Sequence, residues 1–330
     1  MHRKQGQETL YRHQRPCCTM NRIAVYALGG NALRSPKGDD HDAAVVLAGV
    51  MSDVVDLLEA GWSVVITHGN GPQVGELMAM DRTRVHSLSA WVAATQGMIG
   101  HELSMNLHAV LERRERPERT VVMTTHVEVD VNDAAFQRPT KPIGPVLDAE
   151  TVMSADWDIA ETVHGPRRVV ASPKPLQVVE IEAIRHLVQL GAVVVCGGGG
   201  GVPVGWYEGL RIGVPAVVDK DLLSCRLALD LEADLLVIGT DADAVYTDYG
   251  TERAQARRTL TPAQAVELDA EGHFPNGSMR PKVRALAAFV EQRTTGRSVL
   301  CRPGQALATL RGEAGTTFQP ADLVDKESPS

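Results

Sequence analysis

Val193-Val194-Val195-Cys196-Gly197-Gly198-Gly199-Gly200-Gly201-Val202-Pro203-Val204 is the stretch whose reading decides the fold. An apolar β-branched run has the composition of a buried parallel strand, and five consecutive glycines carry too high an entropic cost for the interior of a helix or strand. Something must approach that backbone closely. A glycine turn at the carboxyl end of a buried strand leaves backbone N–H groups able to converge on an anion, most commonly phosphate. A flexible surface loop is the competing reading. The flanking strand and Val202-Pro203-Val204 favour a phosphate cradle, with Gly198, Gly199 and Gly200 as its candidate residues.

Upstream the same logic recurs twice. Arg22 to Leu28 reads as the first strand and runs into Gly29-Gly30-Asn31; a helical pattern over about 43–60 follows and is closed by Gly61. Trp62 to Thr67 reads as a second strand, leading into His68-Gly69-Asn70-Gly71-Pro72-Gln73. Strand, glycine turn and helix in succession is βαβ logic, with the turns at the carboxyl edge of a parallel sheet. Residues 88–114 read as largely helical and 120–124 as a strand. Over 127–171 prolines break the regularity, which predicts an excursion from the sheet, a lid. Downstream come a helix near 179–190, an apolar run Ala216-Val217-Val218 read as a strand before Asp219-Lys220-Asp221, a helix over 222–231, a strand over 235–239, helices near 262–268 and 282–293, and a last strand over 298–302. The expected organisation is a tail over 1–20, one domain over 21–322 with an acceptor lobe mostly in 21–190 and a nucleotide lobe mostly in 191–322, and a frayed end over 323–330.

The composition narrows the function classes. At 330 residues the chain can bury a sizeable core, and its net charge of −8 gives no basic surplus of the kind that tracks nucleic acid. No apolar run is long enough to cross a bilayer, and residues 1–20 lack the apolar stretch of a signal peptide. Five scattered cysteines without a C-x-x-C pair fit a reducing cytoplasm better than a disulfide framework. Cys196 and Cys301 end apolar runs and read as buried, inert thiols.

Three glycine turns at strand ends suggest one ligand carrying phosphate. No G-x-G-x-x-G opens a helix, and no glycine turn ends in Gly-Lys-Ser/Thr, so neither a dinucleotide fingerprint nor a Walker A loop is present. Phosphoryl transfer needs positioning and positive charge aimed at phosphate oxygens, with little covalent help. Lys141, Lys220 and Lys282 lie beside glycine or proline turns, and Lys220 is flanked by Asp219 and Asp221. Asp221 can orient neighbouring lysines or reach Mg²⁺ through water; a helix cap and a surface ion pair are the plain alternative for the two aspartates. Asp241 and Asp243 follow a strand as caps or as neighbours of a nucleotide. The histidines show no metal-ligand spacing, and His68 and His126 read as ordinary hydrogen-bonded side chains.

Combined and in order, Ala27 to Leu33, Thr67 to Gly75, Thr95 to Gly100, Pro139 to Pro145, Ser172 to Pro175, the glycine run with Val202-Pro203-Val204, Val218 to Asp221, and Gly277 to Lys282 resemble carbamate kinases of the amino-acid-kinase superfamily, over about 22–318. The resemblance implies an α/β/α sandwich around a mainly parallel open sheet, a small protruding subdomain, and a homodimer. It implies the reversible reaction ATP + carbamate ⇌ ADP + carbamoyl phosphate with Mg²⁺, used to make ATP in arginine or nitrogen catabolism. By the same resemblance Gly29, Gly30, Asn31, Gly69, Asn70 and Gly71 hold the transferred phosphoryl group and carbamate. Lys141 swings in from the subdomain, Lys220 and Lys282 neutralise the phosphates, Asp221 organises those lysines, and Asp241, Val245, Tyr246 and Met279 lie near the nucleotide. His101 stands where tyrosine is expected and Ala171 where proline is, and 156–166 matches loosely; these departures bear on substrate tuning. A kinase of the same fold acting on another small acceptor, and a nucleotide-binding sensor without turnover, are the alternatives. An intact lysine set speaks against the second.

Overall fold

The computed structural model describes residues 22–29, 40–70, 73–81, 85–162, 164–274 and 279–321. The expected tail, the expected frayed end, and Gly30, Asn31 and Gly71 lie outside these residues. In chain order the elements are β1 (Arg22–Leu28), α1 (Asp40–Glu59), β2 (Trp62–His68), α2 (Gln73–Met80), α3 (Leu88–Arg113), β3 (Arg119–Val122) and β4 (His126–Glu128). The protruding part holds β5 (Lys141–Ile143), α4 (Ala149–Ser154), β6 (Ile159–Thr162) and β7 (Gly165–Val170). Then follow β8 (Gln177–Val178), α5 (Ile181–Gln189), β9 (Ala192–Val195), β10 (Val202–Tyr207), β11 (Leu210–Gly213), α6 (Lys220–Asp230), β12 (Leu235–Gly239), β13 (Val245–Thr247), β14 (Gln255–Arg257), β15 (Thr259–Leu260), α7 (Pro262–Ala270), α8 (Met279–Gln292), β16 (Arg297–Cys301), α9 (Ala306–Leu310) and β17 (Thr316–Phe318).

The main sheet has the order β15-β17-β16-β12-β1-β2-β9-β3 and is parallel except where β17 pairs antiparallel with β16. Its central strands are apolar throughout because both faces are covered. Along β1, Val25 and Ala27 enter one core with α6 and α8, while Ala24, Tyr26 and Leu28 enter the other with α1, α3 and α9. That two-sided burial makes the α/β/α sandwich expected from the sequence. It also brings the carboxyl ends of β1, β2, β9 and β12 to one edge, where a parallel sheet binds its ligands.

Within the excursion over 127–171, residues 141–170 carry a three-stranded antiparallel sheet, β5-β7-β6, while its start in β4 pairs with β10 and β8. The protruding part meets the body at a pair of glycines: a Cβ on Gly75 of α2 would lie 2.0 Å from Gly144 Cα. Within the protruding part Arg167 of β7 fixes Gly144, donating to its carbonyl at 2.6 and 3.0 Å. The loosely matching 156–166 segment supplies β6, and the Trp157 ring lies under the Arg168 guanidinium at 4.9 Å.

Three expectations need correction. Ala216-Val217-Val218 is buried but not a strand: one bridge from Ala216 to Ala171 and a Val217 N–H to Ala171 carbonyl bond at 3.0 Å tie it to the base of the lid. The helix expected over 222–231 begins two residues earlier at Lys220, because the Asp219 carboxylate caps it by accepting from the N–H groups of Asp221 and Leu222. The last strand is β17 and not β16; three residues carry too little periodicity to be seen.

Candidate active site

Each strand end builds one wall of the site. The Gly29 N–H donates to the Gly239 carbonyl at 3.1 Å and the Gly69 N–H to the Leu28 carbonyl at 3.0 Å, so these two amides extend the ladder between strand ends. In the glycine run, Gly197 N–H donates to Thr125 Oγ1, while the N–H groups of Gly200 and Gly201 turn back on Gly197 and Gly198 carbonyls. That leaves the Gly198 and Gly199 amides without an acceptor among the described residues.

The run needs glycine because protein presses against it. A Cβ on Gly198 would lie 2.4 Å from the His68 ring, one on Gly199 2.6 Å from Asn70 Nδ2, and one on Gly200 2.1 Å from the Val218 carbonyl oxygen. The close approach inferred from sequence is therefore made by the second glycine turn and by the segment that delivers Lys220. Gly200 has a φ of +89° and faces backbone that cannot move aside. Gly200→Ala is expected to lower stability by about 2–4 kcal/mol and to push the Val218–Lys220 segment out of place. A urea titration reads the first effect and the turnover of the folded fraction the second.

Above the run sits the charged cluster. Asp221, 3% exposed, receives Lys220 Nζ on Oδ1 and Lys282 Nζ on Oδ2, the latter at 2.9 Å. The two lysine side chains are only 11% and 15% exposed. Burial alone would raise the Asp221 carboxyl, but the two ammonium groups overcome it and hold its pKa down at about 2. Burial also lowers the Lys220 ammonium, with Asp221 resisting and Lys282 adding to the fall. Lys141 reaches in from the lid to Asp219 Oδ2 at 2.8 Å. Asp219 is thus both the α6 cap and the lid's anchor, and Lys141 holds its carboxyl low against the effect of burial. Lys282 lies in the first turn of α8, which begins at Met279, three residues before the expected start, with Pro281 in the same first turn where its missing N–H costs nothing. Three ammonium groups against two carboxylates leave positive charge for a ligand.

Asn70 completes this wall. Its Nδ2 is buried, lies against Gly199 and has no acceptor among the described residues. An unsatisfied buried donor costs roughly 1–3 kcal/mol, and an anionic oxygen beside the glycine run would satisfy it.

The loop after β12 carries the candidate nucleotide residues. The Tyr246 hydroxyl donates to Asp243 at 3.0 Å, and its ring lies 5.7 Å from that of Tyr249. The Asp241 carboxylate accepts from Thr240 Oγ1, and its backbone carbonyl accepts from Arg302 Nε at 3.0 Å. Val245 packs wholly into the core, and Thr316 Oγ1 accepts its N–H, so only its backbone borders the loop. Met279 opens α8, half-buried against the same core.

Residues 22–300 match the amino acid kinase family. The chain belongs to the amino acid kinase family. Within that family it is 41% identical to a carbamate kinase of Halobacterium salinarum, with 90% of this chain and 98% of the relative aligned. It is 40% identical to the carbamate kinase-like protein YqeA of Escherichia coli, over 91% and 99% of the two chains. The solved structure of a carbamate kinase from Giardia lamblia bound to AMP-PNP superposes with a TM-score of 0.82 at 32% identity, covering 91% of this chain and 99% of that one. The mainly parallel sandwich and the place of the site at its carboxyl edge agree with amino acid kinase membership.

Two contributors to this amino acid kinase site carry little signal in the sequence. Gln96 clamps the Thr125 backbone with Nε2 to the carbonyl at 3.0 Å and Oε1 from the N–H at 2.8 Å, and Thr125 in turn holds Gly197. Only its place in the Thr95–Gly100 motif singles it out. His68 is 1% exposed, and since a carbonyl only accepts, its Nδ1 donates to the Gly69 carbonyl at 2.9 Å. Burial pushes its pKa down to about 4, the Gly69 bond opposing and Lys220 adding to the fall. In the unfolded chain it protonates near pH 6.5, so between that pH and about 4 the unfolded state binds more protons. Stability should fall by roughly 3 kcal/mol as pH drops through this window. His68→Gln, compared with wild type by denaturant titration at several pH values, should flatten that slope; an unchanged slope refutes the assignment.

Proposed function

We propose that the chain catalyses the reversible transfer of a phosphoryl group between ATP and carbamate, giving ADP and carbamoyl phosphate, and works toward ATP in the cell. The observation that carries this reading is Asp221 holding two buried ammonium groups over the glycine run and the unsatisfied Asn70 amide. The names of its relatives at about 40% identity support carbamate as the acceptor, and the nucleotide analogue named with the Giardia lamblia enzyme supports ATP.

In the direction of ATP formation, a terminal β-phosphate oxygen of ADP attacks the phosphorus of carbamoyl phosphate, the O–P bond to the carbamoyl group breaks, and carbamate leaves as an anion. No proton has to move, so no general base is required. That agrees with His68, the one imidazole at the glycine turns, being buried neutral with its Nδ1 proton on a carbonyl. Lys220 and Lys282 meet the charge on the phosphoryl oxygens, and Asp221 keeps both ammonium groups in place. Lys141 brings the lid's charge to the same point, with Asp219 as its resting partner. Gly29, Gly69 and Asn70, with Gly198 to Gly200, surround the transferred group and carbamate. Asp241, Tyr246, Met279 and the Val245 backbone border the nucleotide.

Among the described residues no cluster of three His, Cys, Asp or Glu side chains offers a metal cage. Asp219 and Asp221 are committed to lysines. With both carboxylates held by lysines, Asp219 and Asp221 would meet a nucleotide-borne Mg²⁺ through water rather than as direct ligands. There it would supply further neutralisation of phosphate charge. The family resemblance implies a homodimer, which light scattering of the purified chain tests, and the scattered cysteines fit a reducing cytoplasm.

The deciding assay is ATP formation from ADP, Mg²⁺ and carbamoyl phosphate, with acetyl phosphate as control donor. ATP that depends on carbamoyl phosphate supports the reading. ADP binding without turnover would move it to another acceptor or to a sensor.

A further inference from the structure

Asp53 stands out among the buried charges because the reaction does not use it. It lies on α1 at 2% exposure, among Val50, Met51, Val54 and Leu57, with no cation beside it among the described residues. A buried carboxylate is costly, and an apolar side chain would pack that face more cheaply. Instead three donors hold it: the Tyr26 hydroxyl at 2.8 Å, and the N–H groups of Gly304 at 2.8 Å and Ala306 at 2.9 Å. Tyr26 lies within β1, whereas Gly304 is in the turn after β16 and Ala306 opens α9.

That turn leads directly to the loop after β12. Arg302 Nε donates to the Asp241 carbonyl, and the Thr240 N–H to the Cys301 carbonyl at 2.9 Å. Gly49 of α1 packs on Pro303, where a Cβ would come within 3.3 Å. The Tyr26 hydroxyl lies under Gly239, 3.0 Å from where a Cβ would stand. One carboxylate therefore joins the strand that ends in the Gly29 turn to the loop that carries Asp241 and Tyr246.

We infer that Asp53 is a positioning residue: through the turn over 302–306 and Arg302 it sets the nucleotide loop against the acceptor-side strand β1. The inference rests on the nucleotide lying over Asp241 and Tyr246. A side chain that only stabilised the fold would lower the melting temperature and leave ligand affinities alone. One that positions the loop weakens ADP selectively.

The test is calorimetric titration of ADP, with kcat and the KM for carbamoyl phosphate measured alongside, on wild type, Asp53→Asn, Arg302→Ala, the double variant and Tyr246→Ala. Asp53→Asn keeps shape but loses at least one acceptor, and should weaken ADP about three- to tenfold with the KM for carbamoyl phosphate unchanged. The double variant should bind ADP no more weakly than the weaker single variant, because both act on one path. If Asp53→Asn fails to fold, Tyr26→Phe, which removes one donor without changing volume, takes its place. An ADP affinity within twofold of wild type in Asp53→Asn, or effects that multiply in the double variant, overturns the coupling while Tyr246→Ala still weakens ADP. If Tyr246→Ala binds ADP as wild type does, the nucleotide placement fails and the inference falls with it.

Discussion

Lys220→Ala is expected to cut kcat for ATP formation by about 10³-fold and to yield a folded protein. The rate effect is large because Lys220 is buried on a carboxylate, so its charge acts at low effective dielectric and is already oriented when the phosphoryl group arrives. Stability should change little. The truncation removes a desolvated cation, and Asp221 retains Lys282 at 2.9 Å. Arginine should not rescue the variant, since a planar guanidinium cannot occupy the space of a compact ammonium against Asp221. Lys141→Ala, whose side chain is 34% exposed on the lid, should lose less. A coupled ATP assay with a thermal melt on each variant decides the matter, and turnover within tenfold of wild type in Lys220→Ala would remove Lys220 from the phosphoryl site.

The strands of the main sheet were legible wherever burial on both faces demanded largely apolar runs, as in 22–28, 62–67, 193–195 and 235–239. The three glycine turns were legible because five glycines in a row need a reason. The identity of that reason was not: His68, Asn70 and Val218 approach the run from segments far away in sequence. Lys141, Lys220 and Lys282 stood out by their neighbours, and Asp221 was the expected organiser of lysines. Yet nothing local tells that Lys141 pairs with Asp219 while Lys220 and Lys282 share Asp221, because such pairings are set by how the lid and α8 dock. Asp53 falls three residues after Val50 and four before Leu57, on the apolar face of α1, but nothing local names its partners, which lie after β16. β17 and the single bridge at Ala216 were too short to register.

Asp221→Ala should be the most destabilising single change in the site, by about 3–5 kcal/mol, a large part of a typical stability of roughly 5–15 kcal/mol. The carboxylate itself contributes through its lowered pKa. A group near 3.8 in the unfolded chain and about 2 in the folded one adds roughly 2 kcal/mol of stability that is fully present above pH 3.8 and is lost as pH falls through 2. The rest comes from what remains: two nearly buried ammonium groups without the carboxylate they share, with only Asp219, already held by Lys141, acting on Lys220. The mechanism makes a second, sharper expectation. Replacing all three together, Asp221→Leu with Lys220→Met and Lys282→Met, removes the stranded charges and should recover most of the lost stability while turnover stays absent. Denaturant titrations of the single and triple variants at pH 7 measure both. Recovery would mean that the cluster is kept for phosphoryl transfer at a cost to stability; failure to recover would mean that Asp221 holds α6 to α8 by geometry as well as charge.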